Sequence, residues 1–440
     1  MKKPISFCIT TANNEKDYVL LLLQSIKDHT EYSIHEVLVY IDTDNQNTYE
    51  ALIDYKKEMP TLKICKNPHP YPTWTQRNVS TLFNAATHDI VCYLQSDMVV
   101  GKDFDKHIIS NLTTTNTVLC CARIEPPLHP PAPEKIVKSF GSSPEDFDYV
   151  GFNKFVDELQ KENRPNMWGH FAPFALYKNT WFEKLGGFDT QFRCSREDSD
   201  LIIRMGLADL DLVQSWNACV YHFTCVSSRG QDWYKSGKEV AIKNNLQQNA
   251  DVQELKRFIR KWGFFGHHGK PVYDITFNIE LDIFVDLNFL KGIEPYCKQM
   301  YLSDPTVAYQ LASQLEFEAH YYSNLRWNYP TSYWYNVAAL FNPTDFHKKI
   351  QSTNKISEYK KGDVIVSCKY SDLVEQFNNP NPEIRALFEN AHEVVHHNEV
   401  GMFTCGPVTI DIKEKNNLMN SFIHQHDAAK ILAHEHFIFI

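Results

Sequence analysis

Residues 90–97 read Ile-Val-Cys-Tyr-Leu-Gln-Ser-Asp: five apolar residues, two polar ones and an aspartate. A short apolar run ending in polar residues is the pattern of a strand buried on both faces, and such strands belong to parallel sheets covered by helices. The same grammar extends outward. Upstream, Ile5–Thr10, Glu36–Ile41 and Leu62–Cys65 read as strands. Between them lie segments with helical spacing: Asp17–Asp28, carrying Val19, Leu22, Leu23 and Ile26, then Thr48–Glu58 and Thr75–Ala86. Downstream, Thr117–Ala122, Phe174–Tyr177 and Ala218–His222 read as strands, Thr180–Leu185 and Asp198–Leu207 as helices. The alternation predicts an α/β domain, a mainly parallel sheet with helices on both faces. Ligands of such sheets bind beyond the carboxyl ends of the strands. The residues to examine are therefore those at 10–15, 42–45, 67–78 and 95–97.

Composition bounds the rest. The chain has 440 residues, 43% apolar and 22% charged, which excludes wholesale disorder. At roughly 150 residues per domain, that length predicts two or three domains. A net charge of −10 offers no basic surface for nucleic acid. No apolar run approaches the roughly 18 residues of a membrane span, and the N-terminal residues lack a signal-peptide cleavage pattern. The eleven cysteines form no CxxC pair and read as reduced thiols, so a cytoplasmic location is expected. Five prolines between Pro126 and Pro133 predict an extended surface loop. The expected organisation is a catalytic domain over 1–228, a helical connector over 229–268 and a smaller α+β domain over 269–440, where alternating runs such as Tyr273–Leu281 and Thr409–Ile412 appear. This last domain offers a surface for homo-oligomer formation.

Chemistry concentrates after the strands. Asp97, beyond a fully apolar strand, projects into the crevice where an aspartate can hold Mn²⁺ or Mg²⁺ against phosphate oxygens. Asp42, directly after the second strand, has the same placement and can accept a hydrogen bond from a nucleobase N–H. Both positions also suit ordinary turns. More specific is Gly186-Gly187-Phe188-Asp189 followed by Arg196-Glu197-Asp198-Ser199-Asp200. With that segment, residues 4–225 resemble glycosyltransferase family 2 enzymes of the GT-A, Rossmann-like fold. The resemblance rests on an ordered set: the loop Thr10-Thr11-Ala12-Asn13-Asn14-Glu15, then Asp42, then Gln76-Arg77-Asn78, then Gln95-Ser96-Asp97 at the DxD position, then Glu197-Asp198. It implies a metal-dependent, inverting hexosyltransferase that moves a sugar from a nucleotide donor, by default a UDP sugar, to a glycan or other hydroxyl acceptor. Thr10, Thr11, Glu15, Asp42, Arg77, Gln95, Ser96 and Asp97 then bind the donor, and Asp97 holds the metal. Asp198, beside Glu197, takes the proton from the acceptor hydroxyl. His222 matches a histidine that some GT-A enzymes use as a metal ligand, and Trp168, Gly169 and His170 lie where acceptor contacts are expected.

The sequence departs from the family pattern at Gln95, where a carboxylate is missing, and at Ala12 and Asn14. These departures leave a second reading open, a non-catalytic module that binds carbohydrate or nucleotide. A third reading comes from His392-Glu393-Val394-Val395-His396, an H-E-x-x-H pattern that on a helix would set two imidazoles on one face for zinc hydrolysis. The extended motif fails at Glu399, and Val394-Val395 suits a strand at least as well as a helix.

Overall fold

The structure is a computed structural model that describes residues 3–68, 74–169, 173–192, 196–224, 226, 246–264, 271–325, 344–352, 362–378, 391–424 and 438–440. It divides into two compact units, 1–238 with 423–440, and 239–422.

The strands of the first unit are β1 (Ile5–Thr11), β2 (Glu36–Ile41), β3 (Leu62–Lys66), β4 (Ile90–Gln95), β5 (Met98–Val100), β6 (Thr117–Glu125), β7 (Lys135–Val137), β8 (Met167–Trp168), β9 (Phe174–Tyr177) and β10 (Asp211–His222). Its helices are α1 (Lys16–His29), α2 (Thr48–Tyr55), α3 (Trp74–Ala85), α4 (Phe104–Asn111), α5 (Tyr149–Lys161), α6 (Lys178–Thr180), which runs on as a π-turn over Trp181–Leu185, and α7 (Glu197–Leu207). The sheet order is β3-β2-β1-β4-β9-β6-β10-β5, with β7 beside β6 and β8 beside β10. Strands β3, β2, β1 and β4 are mutually parallel, as are β6 and β10, while β9 and β5 run against their neighbours. This is a GT-A-like mixed α/β domain.

Successive strand residues point to opposite faces, and both faces are covered. On β1, Ile5, Phe7 and Ile9 meet Val19, Leu22, Leu23 and Ile26 of α1, together with Leu52 of α2 and Phe104 and Ile108 of α4. Cys8 points the other way, into a layer with Val79, Leu82 and Phe83 of α3 and Leu201, Ile202 and Met205 of α7. Each fully buried side chain of this size contributes about 1.5–3 kcal/mol. Helix α5 closes the far side through Phe152, Val156 and Leu159 against Ile124, Cys219 and Tyr221. One buried polar tie supports the first layer: His35 accepts the Ile5 N–H at Nδ1 (3.1 Å) and donates from Nε2 to Asp105 (2.8 Å).

The last residues return to the first unit rather than joining the 269–440 domain expected from the sequence. Ile440 exchanges both backbone hydrogen bonds with Ile64 on the open edge of β3, at 2.9 and 3.0 Å. Phe439 packs on the layer beneath. This pairing covers an otherwise exposed strand edge.

The second unit contains a six-stranded sheet built from β11 (Ile275–Glu280), β12 (Gln299–Leu302), β13 (Ile350–Ser352), β14 (Val364–Lys369), β15 (Gly401–Cys405) and β16 (Val408–Ile412), in the order β13-β12-β11-β14-β16-β15. The first four are parallel, and β16 runs against both β14 and β15. Residues Leu246–Trp262 form a helix, the described part of the expected connector, and the contact grouping places it with this unit.

The H-E-x-x-H pattern lies here on the helix Ala391–His397, not on a strand. Packing decides, because Val395 enters the apolar core. His392 is buried, accepts the Tyr273 N–H at Nδ1 (2.9 Å), and its Nε2 abuts Gly263, where a Cβ would collide with it. His396 Nδ1 meets the Tyr273 hydroxyl at 3.2 Å. Both imidazoles are engaged by Tyr273, and among the described residues no group of three or more His, Cys, Asp or Glu side chains gathers there.

Burial, with the Lys298 charge adding to it, holds His392 down at about 3. Its folded value thus lies below its unfolded one, so its contribution to stability is complete above about pH 6.5 and is lost as the pH falls toward 3. Stability is expected to fall across that window by roughly 1.4 kcal/mol per pH unit more steeply in the native chain than in a His392→Asn variant. Urea midpoints measured at several pH values compare the two. Equal slopes would remove His392 as the cause.

Candidate active site

Strand ends converge along the carboxyl edge of the first sheet. The Ser96 N–H donates to the Thr10 carbonyl (3.2 Å) and the Asp42 N–H to that of Thr11 (2.9 Å), which sets the ends of β1, β2 and β4 side by side. The loops after β1 and β2 are clasped together. The N–H groups of Asn13, Asn14 and Lys16 donate to Thr43 Oγ1 (3.2 Å), Asn45 Oδ1 (2.9 Å) and Gln46 Oε1 (3.2 Å). Asn14 adopts the left-handed region (φ 67°), which asparagine tolerates better than most residues. Asn67, beyond β3, donates to Asp42 Oδ1 at 3.0 Å and orients that carboxylate.

Glu15 is buried at the start of α1. Its Oε2 accepts from the Ala12 N–H (2.8 Å) and from the Ser96 hydroxyl (2.5 Å), tying the β1 loop to the β4 turn. Burial is the main cause that pushes its carboxyl up to about 7; the Ser96 hydrogen bond opposes the shift and the Asp97 charge adds to it.

Asp97 is almost fully buried, and its carbonyl accepts the Phe223 N–H at 3.0 Å. That bond and the antiparallel pairing of His222 with Met98 bring the end of β10 against the turn. His222 Nε2 then stands 3.5 Å from Asp97 Oδ1, while its Nδ1 lies 3.0 Å from Glu125 Oε1. An ionised carboxylate only accepts, so Nδ1 carries the proton, and a neutral ring turns the Nε2 lone pair toward Asp97. Two ligands about 2.1 Å from one octahedral cation, on adjacent positions, stand roughly 3 Å apart. The Asp97–His222 spacing fits that requirement. Among the described residues no group of three or more His, Cys, Asp or Glu side chains forms a cage, so a cation here would need further ligands from substrate or water.

Glu125 was not among the residues expected from the sequence. It ends β6 as Asp97 follows β4, but Arg123 interrupts the apolar run, so the strand was read only to Ala122. Burial alone would raise its carboxyl; His222, Arg123 and Lys135 outweigh that and hold it down at about 2.

Helix α7 brings the remaining acids. Gly186 and Gly187 both take positive φ (66° and 85°), which explains the glycine pair, and Arg196 takes φ 69° at the entry to the helix. Such strain in a non-glycine residue gathers at functional sites. Asp198 Oδ1 accepts from the Ser199 N–H (2.6 Å) and hydroxyl (3.2 Å); its Oδ2 takes no hydrogen bond from the described residues. Asp200, two residues on, is fully buried and pairs with fully buried Arg204 (2.8 Å). Tyr93 is buried on β4. Burial pushes its hydroxyl well up, the hydrogen bond with Thr10 opposes this, and the charges of Glu197, Asp97 and Glu15 all add to the rise. Glu197, at the start of α7, and Asp97 thus both act on Tyr93.

Not every expected residue is placed as fully. Gln95 pairs in register with Thr10. Arg77 lies in the first turn of α3, but its side chain, like the whole of His170, is outside the described residues. Trp168 is about half exposed on β8, opposite Val213. Gly169 packs so closely on Cys120 that a Cβ would come 2.7 Å from its Sγ. Cys120 is level in the sheet with Phe174 and, across it, Tyr93.

Residues 6–186 match the family model of glycosyl transferase family 2. The matched span is less than half the chain; it contains Thr10 through Asp97 and ends before Glu197, Asp198 and His222. Over that span the chain is similar to glycosyl transferase family 2. Among solved structures, the chain is similar to GalNAc-T7, crystallised with UDP, GalNAc and Mn²⁺, at 14% identity and a TM-score of 0.39, over 50% of this chain and 43% of that one. It is similar also to S. aureus TarS, at 13% identity and a TM-score of 0.38, over 59% of this chain and 43% of that one. The chain thus spans less than half the length of each. No curated protein matches it. Among the described residues no helix is long and apolar enough to cross a membrane.

Proposed function

We propose that the first unit is an inverting glycosyltransferase that moves a sugar from a nucleotide donor, UDP-linked by preference, to a hydroxyl of a glycan or similar acceptor. The observation that supports this reading is the Asp97–His222 pair on the same sheet edge as the clasped β1 and β2 loops, which Glu15 ties to the turn before Asp97. Asp42, oriented by Asn67, accepts from the nucleobase, and the loop from Thr10 to Glu15 lines the ribose. Asp97 and His222 hold Mn²⁺ or Mg²⁺. When bound, the cation supplies positive charge against the departing diphosphate. Arg77 adds to that charge from α3. Asp198 Oδ2 accepts the proton of the acceptor hydroxyl, on the face opposite the leaving group. Trp168 and Gly169 are assigned to the acceptor side.

The loss of one DxD carboxylate at Gln95 favours the competing reading, a binding module without catalysis. Calorimetry with UDP, with and without Mn²⁺, tests the proposal. Binding strengthened at least tenfold by Mn²⁺ in the native chain and not in Asp97→Ala is the expected result. Metal-independent binding of free sugars, with no response to UDP, would replace the enzyme by the module.

A further inference from the structure

We propose that Glu125 is a positioning residue of this site: by accepting the His222 Nδ1–H it fixes the tautomer and rotation of the imidazole that present Nε2 to a cation shared with Asp97. The inference rests on the reading above, in which Asp97 and His222 hold that cation. His222 is the last residue of β10, where an imidazole has rotational freedom unless a second group holds it. Glu125 supplies that group from the adjacent strand, and it is itself immobilised. Its side chain is 3% exposed, and both oxygens are engaged. Oε1 faces His222 Nδ1 (3.0 Å) and Arg123 (3.3 Å), and Oε2 faces Lys135 Nζ (2.9 Å). Lys135 is in place because the three-residue β7 pairs Arg123 with Lys135 in register, and Arg123 is steadied in turn by Glu134 at 3.6 Å.

A buried carboxylate with two cations and a histidine around it is costly to assemble, and a few apolar residues would join β6 to β7 as well. The arrangement gains a purpose if its output is the orientation of His222. Metal-binding histidines are held in this manner through their other ring nitrogen, and removal of the outer partner weakens metal affinity about 10–100-fold. At this site the histidine matters more than usual, because Gln95 stands where a DxD motif would supply a second aspartate.

The test uses the full chain and readouts that do not depend on transfer. Nitrogen-15 imidazole spectra report the His222 tautomer, and Mn²⁺ paramagnetic resonance reports the dissociation constant of Mn²⁺ alone. Native protein is expected to show the Nδ1–H tautomer. Glu125→Ala is expected to lose it and to weaken Mn²⁺ binding about 10–100-fold, as His222→Ala does, with the double variant no weaker than either single one. Glu125→Gln, whose amide oxygen still accepts from Nδ1–H, is expected to keep the tautomer with a smaller loss, and it carries the comparison if Glu125→Ala does not fold. If His222→Ala weakens Mn²⁺ binding but neither Glu125 variant changes the tautomer or the affinity, Glu125 is merely structural and the inference falls alone. If Asp97→Ala and His222→Ala both leave Mn²⁺ binding unchanged, the cation reading itself falls.

Discussion

Replacing Asp198 by asparagine is expected to lower sugar transfer roughly 10²–10⁴-fold, the usual contribution of one positioned general base. The variant should fold normally and bind nucleotide as before. The reason lies in how the carboxylate is held. Ser199 fixes Oδ1 through its N–H and hydroxyl, and an asparagine amide oxygen accepts the same two bonds. What changes is the other atom: Oδ2, a proton acceptor, becomes an NH₂ group that cannot take a proton. The loss should therefore appear in kcat, with the KM for donor close to native. Initial rates with a nucleotide sugar and acceptor in the presence of Mn²⁺ measure it. Full activity in Asp198→Asn would move the base to another group, with Glu197 the first to examine.

Asp200, two residues further along α7, should behave in the opposite way. Replacing it by alanine is expected to destabilise the chain by about 3–5 kcal/mol, the scale seen when one partner of a buried ion pair is removed. Arg204 has no exposed surface, and among the described residues its guanidinium would keep only carbonyl partners, those of Leu185 (3.0 Å) and Ile423 (3.4 Å). A loss that large lies well beyond the effect of an ordinary surface substitution. Urea unfolding followed by tryptophan fluorescence gives the figure. A change below about 1 kcal/mol would mean that water or another acid neutralises Arg204. The pair of variants separates two acids that look alike in the sequence: one should silence a folded protein, the other should unfold it.

The architecture of the first unit was largely legible because its strands are buried on both faces. Eight strand or helix segments up to Ala122 show apolar spacing strong enough to be read without tertiary information, and the structure places each within a few residues. The sequence was less informative where a segment is held by its neighbours. Strand β10 begins at Asp211, seven residues before the expected start, because its first half is polar in pattern yet pairs along β6. Glu125 is hidden in the sequence for a related reason: Arg123 reads as the end of a strand unless the salt bridges that neutralise it are known. In the second unit, two valines at 394–395 suit a strand at least as well as a helix, and the structure has a helix there.

The sequence by itself determined the alternating α/β order and the short list of acids that follow the strands, since both depend on local pattern: apolar periodicity, glycine at positive φ, and polar residues where a strand ends. Only the tertiary structure decided which of those acids act on one another. The register of β5 against β10 carries His222 to Asp97 across 125 residues of chain, Glu125 reaches it from a third strand, and Asp200 turns inward to Arg204 while Asp198 keeps one oxygen without a hydrogen bond from the described residues. These outcomes depend on hydrogen-bond registers and on which face of a helix is buried. A one-residue slip in a strand register sends every side chain to the other face, and no single stretch of sequence contains that information.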